Sequence, residues 1–407
     1  MSWKTVTLGD ISSNIQTGPF GSQLHQSDYS EEGTPVVMPK DLVNGHISEA
    51  SIARVSEDHV NRLNRHKIEV GDILYSRRGD VGRCAFATET EEGWLCGTGC
   101  LRVTIDISKA IPKFVFYQLQ KAETVGWVEK HAVGATMLNL NTSILSSVPI
   151  EIPPLAEQQV IVDMLSAYDD LIENNQKQIK LLEEAAQRLY TEWFVDLRFP
   201  GHETTPITDG IPEGWKKDRA DAFFNMSIGK TPPRAEKQWF TDGGNGTPWI
   251  SISDMGNYGT YVFDTAEALT VEAISKHNVK VVPSDTVLVS FKLTVGRVSI
   301  TTTDTCTNEA IAHFLISNSM LREYTYLYLK CFEYDSLGNT SAISKAVNSK
   351  IIKGMPFVMP DNATITQFHK IAKPIFDAIK DKQSMNMKLA EARDRLLPKL
   401  MNGEIEV

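Results

Sequence analysis

The stretch LAEQQVIVDMLSAYDDLIENNQKQIKLLEEAAQRLYTEWF, Leu155–Phe194, contains neither glycine nor proline. Within it Ile161, Leu165, Tyr168, Ile172, Asn175, Ile179, Leu182, Ala186, Leu189 and Trp193 alternate steps of four and three. That stepping returns to one face of an α-helix and is the pattern of a coiled-coil seam. A helix of this length extends about 60 Å, longer than a small domain is wide, so most of it calls for a second helix beside it. A long helix packed only on its own domain is the plainer alternative. Phe368, Ala372, Ile375, Ile379, Lys382, Leu389, Leu396 and Leu400 repeat the stepping less cleanly, with Asn386 and Arg393 out of pattern and Pro374 and Pro398 inside the span. Pro374 is expected to kink this second helix or mark a late start. Asn175 and Lys382 hold equivalent places. They are expected to lie near each other midway along an antiparallel pair, where a polar seam residue fixes register at some expense of stability.

Each helical stretch follows a β-rich region, and the two regions read as copies. Trp3-Lys4 recurs as Trp215-Lys216, and Thr34-Pro35 as Thr247-Pro248. Ser76-Arg-Arg-Gly-Asp-Val-Gly-Arg83 recurs as Ser290-Phe-Lys-Leu-Thr-Val-Gly-Arg297. Asn141-Thr-Ser-Ile-Leu-Ser-Ser-Val-Pro149 recurs as Asn348-Ser-Lys-Ile-Ile-Lys-Gly-Met-Pro356. The shared order and near-constant offset indicate a tandem duplication whose period is far too long for a solenoid. Short β-rich runs such as Thr34–Met38, Asp72–Tyr75 and Leu101–Ile105 are separated by turn residues. One short helical pattern, Pro112–Glu123, is matched by Leu321–Phe332. The expected fold is α+β: two β-rich domains in tandem pseudo-repeat, each followed by a long helix, the helices pairing as an antiparallel coiled coil. The expected boundaries are 1–152 for the first domain and 153–198 for the central helix. The second domain with its leading linker takes 199–360, and the distal helix and tail 361–407.

Composition narrows the function. The 407 residues are 42% hydrophobic and carry 41 Lys+Arg against 51 Asp+Glu, a net charge of −10. Such values fit ordinary globular domains and argue against disordered or membrane classes. The beginning of the chain does not read as a secretory signal, and no run approaches the ~18–20 apolar residues of a spanning helix. Five cysteines, an odd number without a Cys-x-x-Cys pair, read as reduced thiols of a cytoplasmic protein and not as a metal site.

Several catalytic signatures are missing. There is no Asn/Asp-Pro-Pro-Tyr/Phe loop of a DNA amino-methyltransferase, and no lysine has an acidic residue two positions before it, as common metal-dependent nucleases require. Phe224–Thr231 resembles the end of a P-loop, but Phe224 replaces the leading glycine and Pro232-Pro233 follow where a helix should begin. His-Glu-x-x-His and Gly-x-Ser-x-Gly are absent.

What remains is binding chemistry in polar loops. Thr17-Gly-Pro-Phe-Gly-Ser-Gln23 offers Thr17, Phe20, Ser22 and Gln23: an amide that suits adenine and a ring that can wedge or stack. Its counterpart contributes Lys230, Thr231 and Arg234. Arg62, Arg65 and Lys67 lie in the densest basic run, and Arg77, Arg78 and Arg83 follow a predicted strand. The second copy answers with Lys276, Lys292 and Arg297, and Lys345 sits in the polar stretch before Asn348. Shared contact to the DNA backbone by Arg83 and Arg297, with the differing residues around them reading bases, is the expected division of labour. Solvated charged faces, an ordinary turn at Phe20, and helix caps at Asn141 and Asn348 are the competing structural readings.

The strings GATMLNLNTSILSSVPIEIPPLAEQQVI (134–161) and RLYTEWFVDLRFPG (188–201), with TGPFGSQL (17–24) and RDRLLPKLMNGEIEV (393–407), resemble the specificity subunit of type I restriction-modification systems. The resemblance spans essentially the whole chain. It implies two target-recognition domains held on an antiparallel helical spacer that docks two methyltransferase (modification) subunits, with restriction (motor-nuclease) subunits completing the cleaving complex. It implies a bipartite double-stranded DNA target whose half-sites differ and whose unread gap follows the spacer. It implies no catalysis and no cofactor on this chain; S-adenosylmethionine, ATP and Mg²⁺ would serve the partners. Pro398 falls in the family-like LLPKL string and is expected to end the distal helix. A coiled-coil scaffold without DNA readout and a fused nuclease or methyltransferase of unrecognised motif are the rival readings.

The negative charge is unevenly spread. Residues 151–210 carry 4 basic and 12 acidic side chains, whereas 1–150 carry 14 and 17 and 211–360 carry 15 and 15. The acidity therefore sits on the central helix, and the β-rich domains are near neutral. Weak DNA binding by the chain alone is expected, with non-specific affinity coming from partners.

Overall fold

The computed structural model describes residues 3–134, 138–337 and 347–405. They divide into two compact units, Met1–Asp170 with Leu389–Val407, and Leu171–Lys388. Each unit holds one β-rich region and a length of both long helices.

In the first unit the strands Ser12–Thr17, Cys100–Ile105, Ile73–Ser76 and Cys84–Phe86 form an antiparallel sheet in that order. A second sheet runs Leu95–Cys96, Thr34–Val37, Ala53–Val55, Tyr29–Ser30, its first pair parallel. The second unit repeats both orders. Asn225–Ile228, Ile311–Leu315, Val287–Ser290 and Val298–Thr301 form the larger sheet, with Tyr261–Val262 added in parallel at its edge. Cys306–Thr307, Thr247–Ile250, Glu267–Leu269 and Phe240–Asp242 form the smaller one, again with one parallel pair. Register fixes residue equivalence. Arg102 stands opposite Gln16 and Leu74, and His313 stands opposite Ser227 and Leu288. The duplication read from short strings is thus a duplication of strand order and pairing, in an α+β fold.

The entry and exit of each domain are joined. Lys4–Thr7 pairs antiparallel with Pro149–Ile152, and Lys216–Arg219 with Pro356–Met359. Asn141 and Asn348 cap the short helices before those exit strands, accepting from the Ile144 amide at 2.8 Å and the Ile351 amide at 3.0 Å. Each long helix begins directly after its exit strand.

The central helix is α-helical over Leu155–Tyr190 and ends in a π-helical turn, Thr191–Val195. The extra residue in that turn displaces the strict four-three stepping at its last member. Trp193 reaches the core of the second unit there, 5.7 Å from the Phe368 ring. The distal helix Asn362–Met401 runs unbroken through Pro374 and Pro398, so neither proline delays or ends it. Both prolines lie on the exposed face, where the carbonyl that loses its amide donor stays open to water.

The stepping residues are not a pure two-helix seam. Ile161 and Leu165 are buried in the first domain's core, against which Leu396 packs. Ile179, Leu182, Leu189, Ile375 and Ile379 belong to or pack on the second domain's core. Tyr168, Ile172, Lys382 and Leu389 are half-buried. The apolar stripe therefore joins each helix to its domain as well as to the other helix.

The residues that break the stepping make the cross-helix contacts. Asn175, 6% exposed, donates through Nδ2 to Asn386 Oδ1 at 2.9 Å. Asn386 Nδ2 donates to the Ile172 carbonyl at 3.3 Å, and Lys382 Nζ reaches Asn175 Oδ1 at 3.5 Å. The Asn175–Lys382 approach is present, but the shorter bond goes to Asn386. In the first unit Arg393 Nη1 donates to Asp169 Oδ1 at 2.7 Å. Residue 193 facing 368, and 175 facing 386, makes the pair antiparallel within the second unit. Asn175→Leu is expected to cost about 1–2 kcal/mol in urea unfolding, because it leaves Asn386 Oδ1 without its donor. Adding Asn386→Leu should recover most of that. Equal stability of the single variant and the parent would mean the amide pair holds nothing.

Two buried histidines give the domains a pH dependence. His313 has no exposure and lies between the hydroxyls of Ser227 and Thr307, 2.7 Å from each. Burial pushes its pKa from 6.5 down to about 4. His66 is 2% exposed, and burial, then the charges of Arg65 and Arg102, push it to about 4 as well. The folded values lie below the unfolded one, so the stability from a neutral ring is complete above pH 6.5 and lost as pH falls towards 4. Stability measured against pH should fall across that window, and His313→Gln should flatten the second domain's share.

Candidate nucleic-acid interface

In the first domain, three loops meet at the end of the larger sheet. The Thr17–Gln23 turn is clamped to the 96–100 turn. The Gly18 amide donates to the Cys100 carbonyl at 3.0 Å, and Thr98 Oγ1 to the Pro19 carbonyl at 2.8 Å. Gly18 is glycine because a Cβ there would sit 2.0 Å from the Gly97 oxygen. Phe20 is not tucked inwards; its ring is 56% exposed. Ser22 is exposed, and Gln23 Oε1 accepts from the Phe20 amide at 3.3 Å, which leaves the amide NH₂ to point elsewhere. The 76–83 loop joins them: the Arg77 amide donates to the Gly99 carbonyl at 2.8 Å, and the Leu140 amide to the Arg77 carbonyl at 2.8 Å. Arg78 is exposed, and Arg77 Nε is buried without a hydrogen-bond partner among the described residues. Arg83 is exposed and paired with Asp80 at 2.8 Å.

The basic run 61–67 reaches the same end. Gln16 Nε2, next to Thr17, donates to the Arg65 carbonyl at 2.5 Å. Arg62 is exposed with Asp28 at 3.6 Å, and Arg65 Nε donates to His66 Nε2 at 3.0 Å. Lys67 is half-buried, and its carbonyl accepts from Arg102. The structure thus gathers Thr17, Phe20, Arg65, Arg77 and Arg78, and sets Arg62 and Arg83 on exposed ground with carboxylate partners.

The second domain repeats the clamp. The Gly229 amide donates to the Ile311 carbonyl at 3.1 Å, and a Cβ at Gly229 would meet Thr307 Oγ1 at 2.0 Å and the Asn308 oxygen at 2.1 Å. No helix follows Gly229, so the P-loop likeness ends there. Lys230 Nζ donates to the His277 carbonyl at 2.6 Å, bringing the 229–234 turn beside Lys276. Thr231 donates to Glu309.

Several cations are committed internally. Arg234 is held by both oxygens of Glu267 at 2.7 Å and lies over the rings of Phe240 and Trp249, 4.4 and 4.5 Å from their centres. Lys276 covers Trp239 at 4.5 Å. Arg297 Nη1 donates to the Ile252 carbonyl at 2.6 Å. Arg83 and Arg297 are therefore not equivalent in geometry, despite their shared string: one is exposed, the other half-buried and bonded to backbone. Lys292 is exposed beside Phe291. Lys345 lies outside the described residues.

Arg102 escaped the sequence reading. It is 7% exposed, pairs with the buried Asp72 at 3.3 Å and holds the Lys67 carbonyl. The signal was available: one arginine in the otherwise apolar and β-branched strand Cys100–Ile105. Among the described residues no group of three or more His, Cys, Asp or Glu is arranged to hold a metal, and no helix is long and apolar enough to cross a membrane.

Comparison with known proteins agrees with this arrangement. The model of the family described as Type I restriction modification DNA specificity domain matches residues 1–184 and again 212–389. The Type I restriction enzyme HindI specificity subunit of Haemophilus influenzae is 25% identical over 470 aligned residues, covering 99% of this chain and 99% of its own. The Type I restriction enzyme MjaIX specificity subunit of Methanocaldococcus jannaschii is 26% identical over 393 residues, covering 92% and 87%. Among solved structures, the type I restriction-modification S subunit from M. genitalium superposes with a TM-score of 0.57 at 16% identity, covering 98% of this chain and 96% of that one, a likeness of fold.

Proposed function

The chain belongs to the type I restriction-modification DNA specificity family and is a non-catalytic specificity subunit with two recognition domains; from that premise we propose that it reads a bipartite duplex target, one half-site per domain. The observation that carries this is the pair of loop clusters. Both sit at the same end of the same strand order, clamped by the same close glycine, yet they present different side chains: Phe20, Ser22 and Arg78 in one, Lys230 and Lys292 in the other. Equivalent placement with different chemistry suits two unlike half-sites. The proposed DNA-contacting set is the exposed part of the residues singled out above. Arg234 and Lys276, though exposed, are held over aromatic rings, and with the half-buried Arg297 they serve chiefly to fix loop shape.

The long helices carry the rest of the proposal. Their outer faces dock two methyltransferase subunits, and restriction subunits join that assembly. S-adenosylmethionine, ATP and Mg²⁺ act on the partners. With the acidity concentrated on the central helix, the isolated chain should bind DNA weakly.

The test is methylation mapping. Co-expression with the cognate modification subunit, followed by sequencing of modified adenines, should return one interrupted motif. Exchanging residues 1–152 for the matching domain of another family member should change one half-site alone. A four-residue insertion in the central helix should change the gap and leave both half-sites intact. Altered half-sites after the insertion would overturn the separation of reading from spacing.

A further inference from the structure

The loops that join the third and fourth strands of the larger sheet have the same length in both copies. The Ser76 amide donates to the Arg83 carbonyl at 2.8 Å, and the Ser290 amide to the Arg297 carbonyl at 2.9 Å. Gly79 and Leu293 therefore occupy the same tip position, and both are left-handed, with φ of 76° and 60°. Glycine is the residue that this backbone favours, because any Cβ crowds the following carbonyl. The second domain has a leucine there instead.

Nothing in the fold compensates for it. Six non-glycine residues among those described have positive φ: Asn44, Asp209, Asn278 and Asp285, which tolerate it, and Leu197 and Leu293. Leu197 packs against the second domain's core. Leu293 is 95% exposed, the highest value among the large apolar side chains of the described residues. A strained backbone that holds an apolar side chain wholly in water contributes nothing to folding, and such positions concentrate at binding sites.

The surroundings identify the ligand. Lys292 precedes it, exposed, and Thr294 follows. The Phe291 amide donates to the Ala310 carbonyl at 2.9 Å, which seats the loop beside the Asn308–Glu309 turn where Thr231 is bound. The loop is thus part of the second domain's cluster, at the turn that joins two antiparallel strands of the larger sheet.

We propose that Leu293 projects from this loop tip onto the apolar face of a base within the half-site read by the second domain, a contact that the first domain, with Gly79, does not make. This rests on the bipartite reading above. The shared chemistry is apolar contact with a base, either a thymine methyl group or an opened base step.

The test uses the full chain assembled with its modification subunit and duplexes carrying the mapped target. Leu293→Gly should bind that target about ten-fold more weakly and relax preference in one half-site, while non-specific affinity stays level. Its thermal midpoint should equal or exceed the parent's, and Leu293→Met should retain binding. Duplexes with uracil for thymine in that half-site separate the two forms of contact. A loss confined to the parent protein marks a methyl contact; no loss marks a base step. Unchanged affinity and motif in Leu293→Gly would overturn the proposal. So would impaired assembly with the modification subunit alongside normal DNA binding, which would make the contact one with protein. If the unsubstituted complex modifies no interrupted motif, it is the bipartite reading that fails.

Discussion

Gly18→Ala is expected to destabilise the first domain by about 3–4 kcal/mol, beyond the usual range for one added methyl. The new Cβ would lie 2.0 Å from the Gly97 oxygen, 2.7 Å from the Gly97 carbonyl carbon and 2.9 Å from the Cys96 oxygen. All three are backbone atoms, so no side-chain rotation relieves the clash. The turn must lift away, which breaks the Gly18–Cys100 and Thr98–Pro19 hydrogen bonds that seat the Phe20 loop. Urea unfolding should show the loss. Methylation mapping of the assembled complex should show one half-site gone and the other kept.

Gly229→Ala should do the same to the second domain, against Thr307 and the Asn308 backbone, and remove the opposite half-site. Gly126, with open space around its Cβ position inside the helix Ala122–His131, is the control. Gly126→Ala should be neutral or stabilising by about 0.5–1 kcal/mol, since alanine restricts the unfolded chain and favours helix. Parent-like stability in both Gly18→Ala and Gly229→Ala would mean that the clamps are not close.

These glycines also show what a sequence can and cannot yield. The duplication was legible because the residues that set backbone shape recur: the Val-Gly-Arg turn, the Asn caps, the prolines opening each exit strand. The long helices were legible because glycine and proline are missing where apolar stepping persists. The cross-helix contacts were not, since Asn386 and Arg393 look like flaws until Asn175 and Asp169 stand opposite them. Free and committed cations were equally indistinguishable. Arg234 and Lys292 are alike as letters, and only the approach of Glu267, Phe240 and Trp249, distant in sequence, separates them. Nothing in the sequence singles out Leu293, because neither its φ nor its exposure is written in residue type.

Arg102→Leu is expected to cost about 3–5 kcal/mol near neutral pH, the range for removing one partner of a buried ion pair. Asp72 is 1% exposed and would keep its charge with only the Thr104 hydroxyl, at 2.5 Å, and the Glu69 amide, at 2.8 Å, as partners. Burial already raises the Asp72 pKa despite those bonds and the arginine. A carboxylate whose folded pKa lies above its unfolded one penalises the fold fully above the folded value, and the penalty fades as pH falls from there to the unfolded value. Without Arg102 that value moves further up, so the cost of the substitution should shrink steadily as the solution is acidified. Asp72→Asn in the Arg102→Leu background should restore much of the stability at neutral pH, because an amide needs no counter-charge. It should not restore DNA reading. Arg102 also holds the Lys67 carbonyl and reaches that of Arg65 at 3.5 Å, so its guanidinium ties the basic run to the sheet. His313 occupies the same register position in the second domain and, among the described residues, bonds Ser227 and Thr307. Among the described residues the coupling of core charge to a basic loop therefore belongs to the first domain. A doubly substituted protein that is stable but has lost one half-site would separate holding the loop from holding the fold, whereas full recovery of both would reduce Arg102 to a counter-ion.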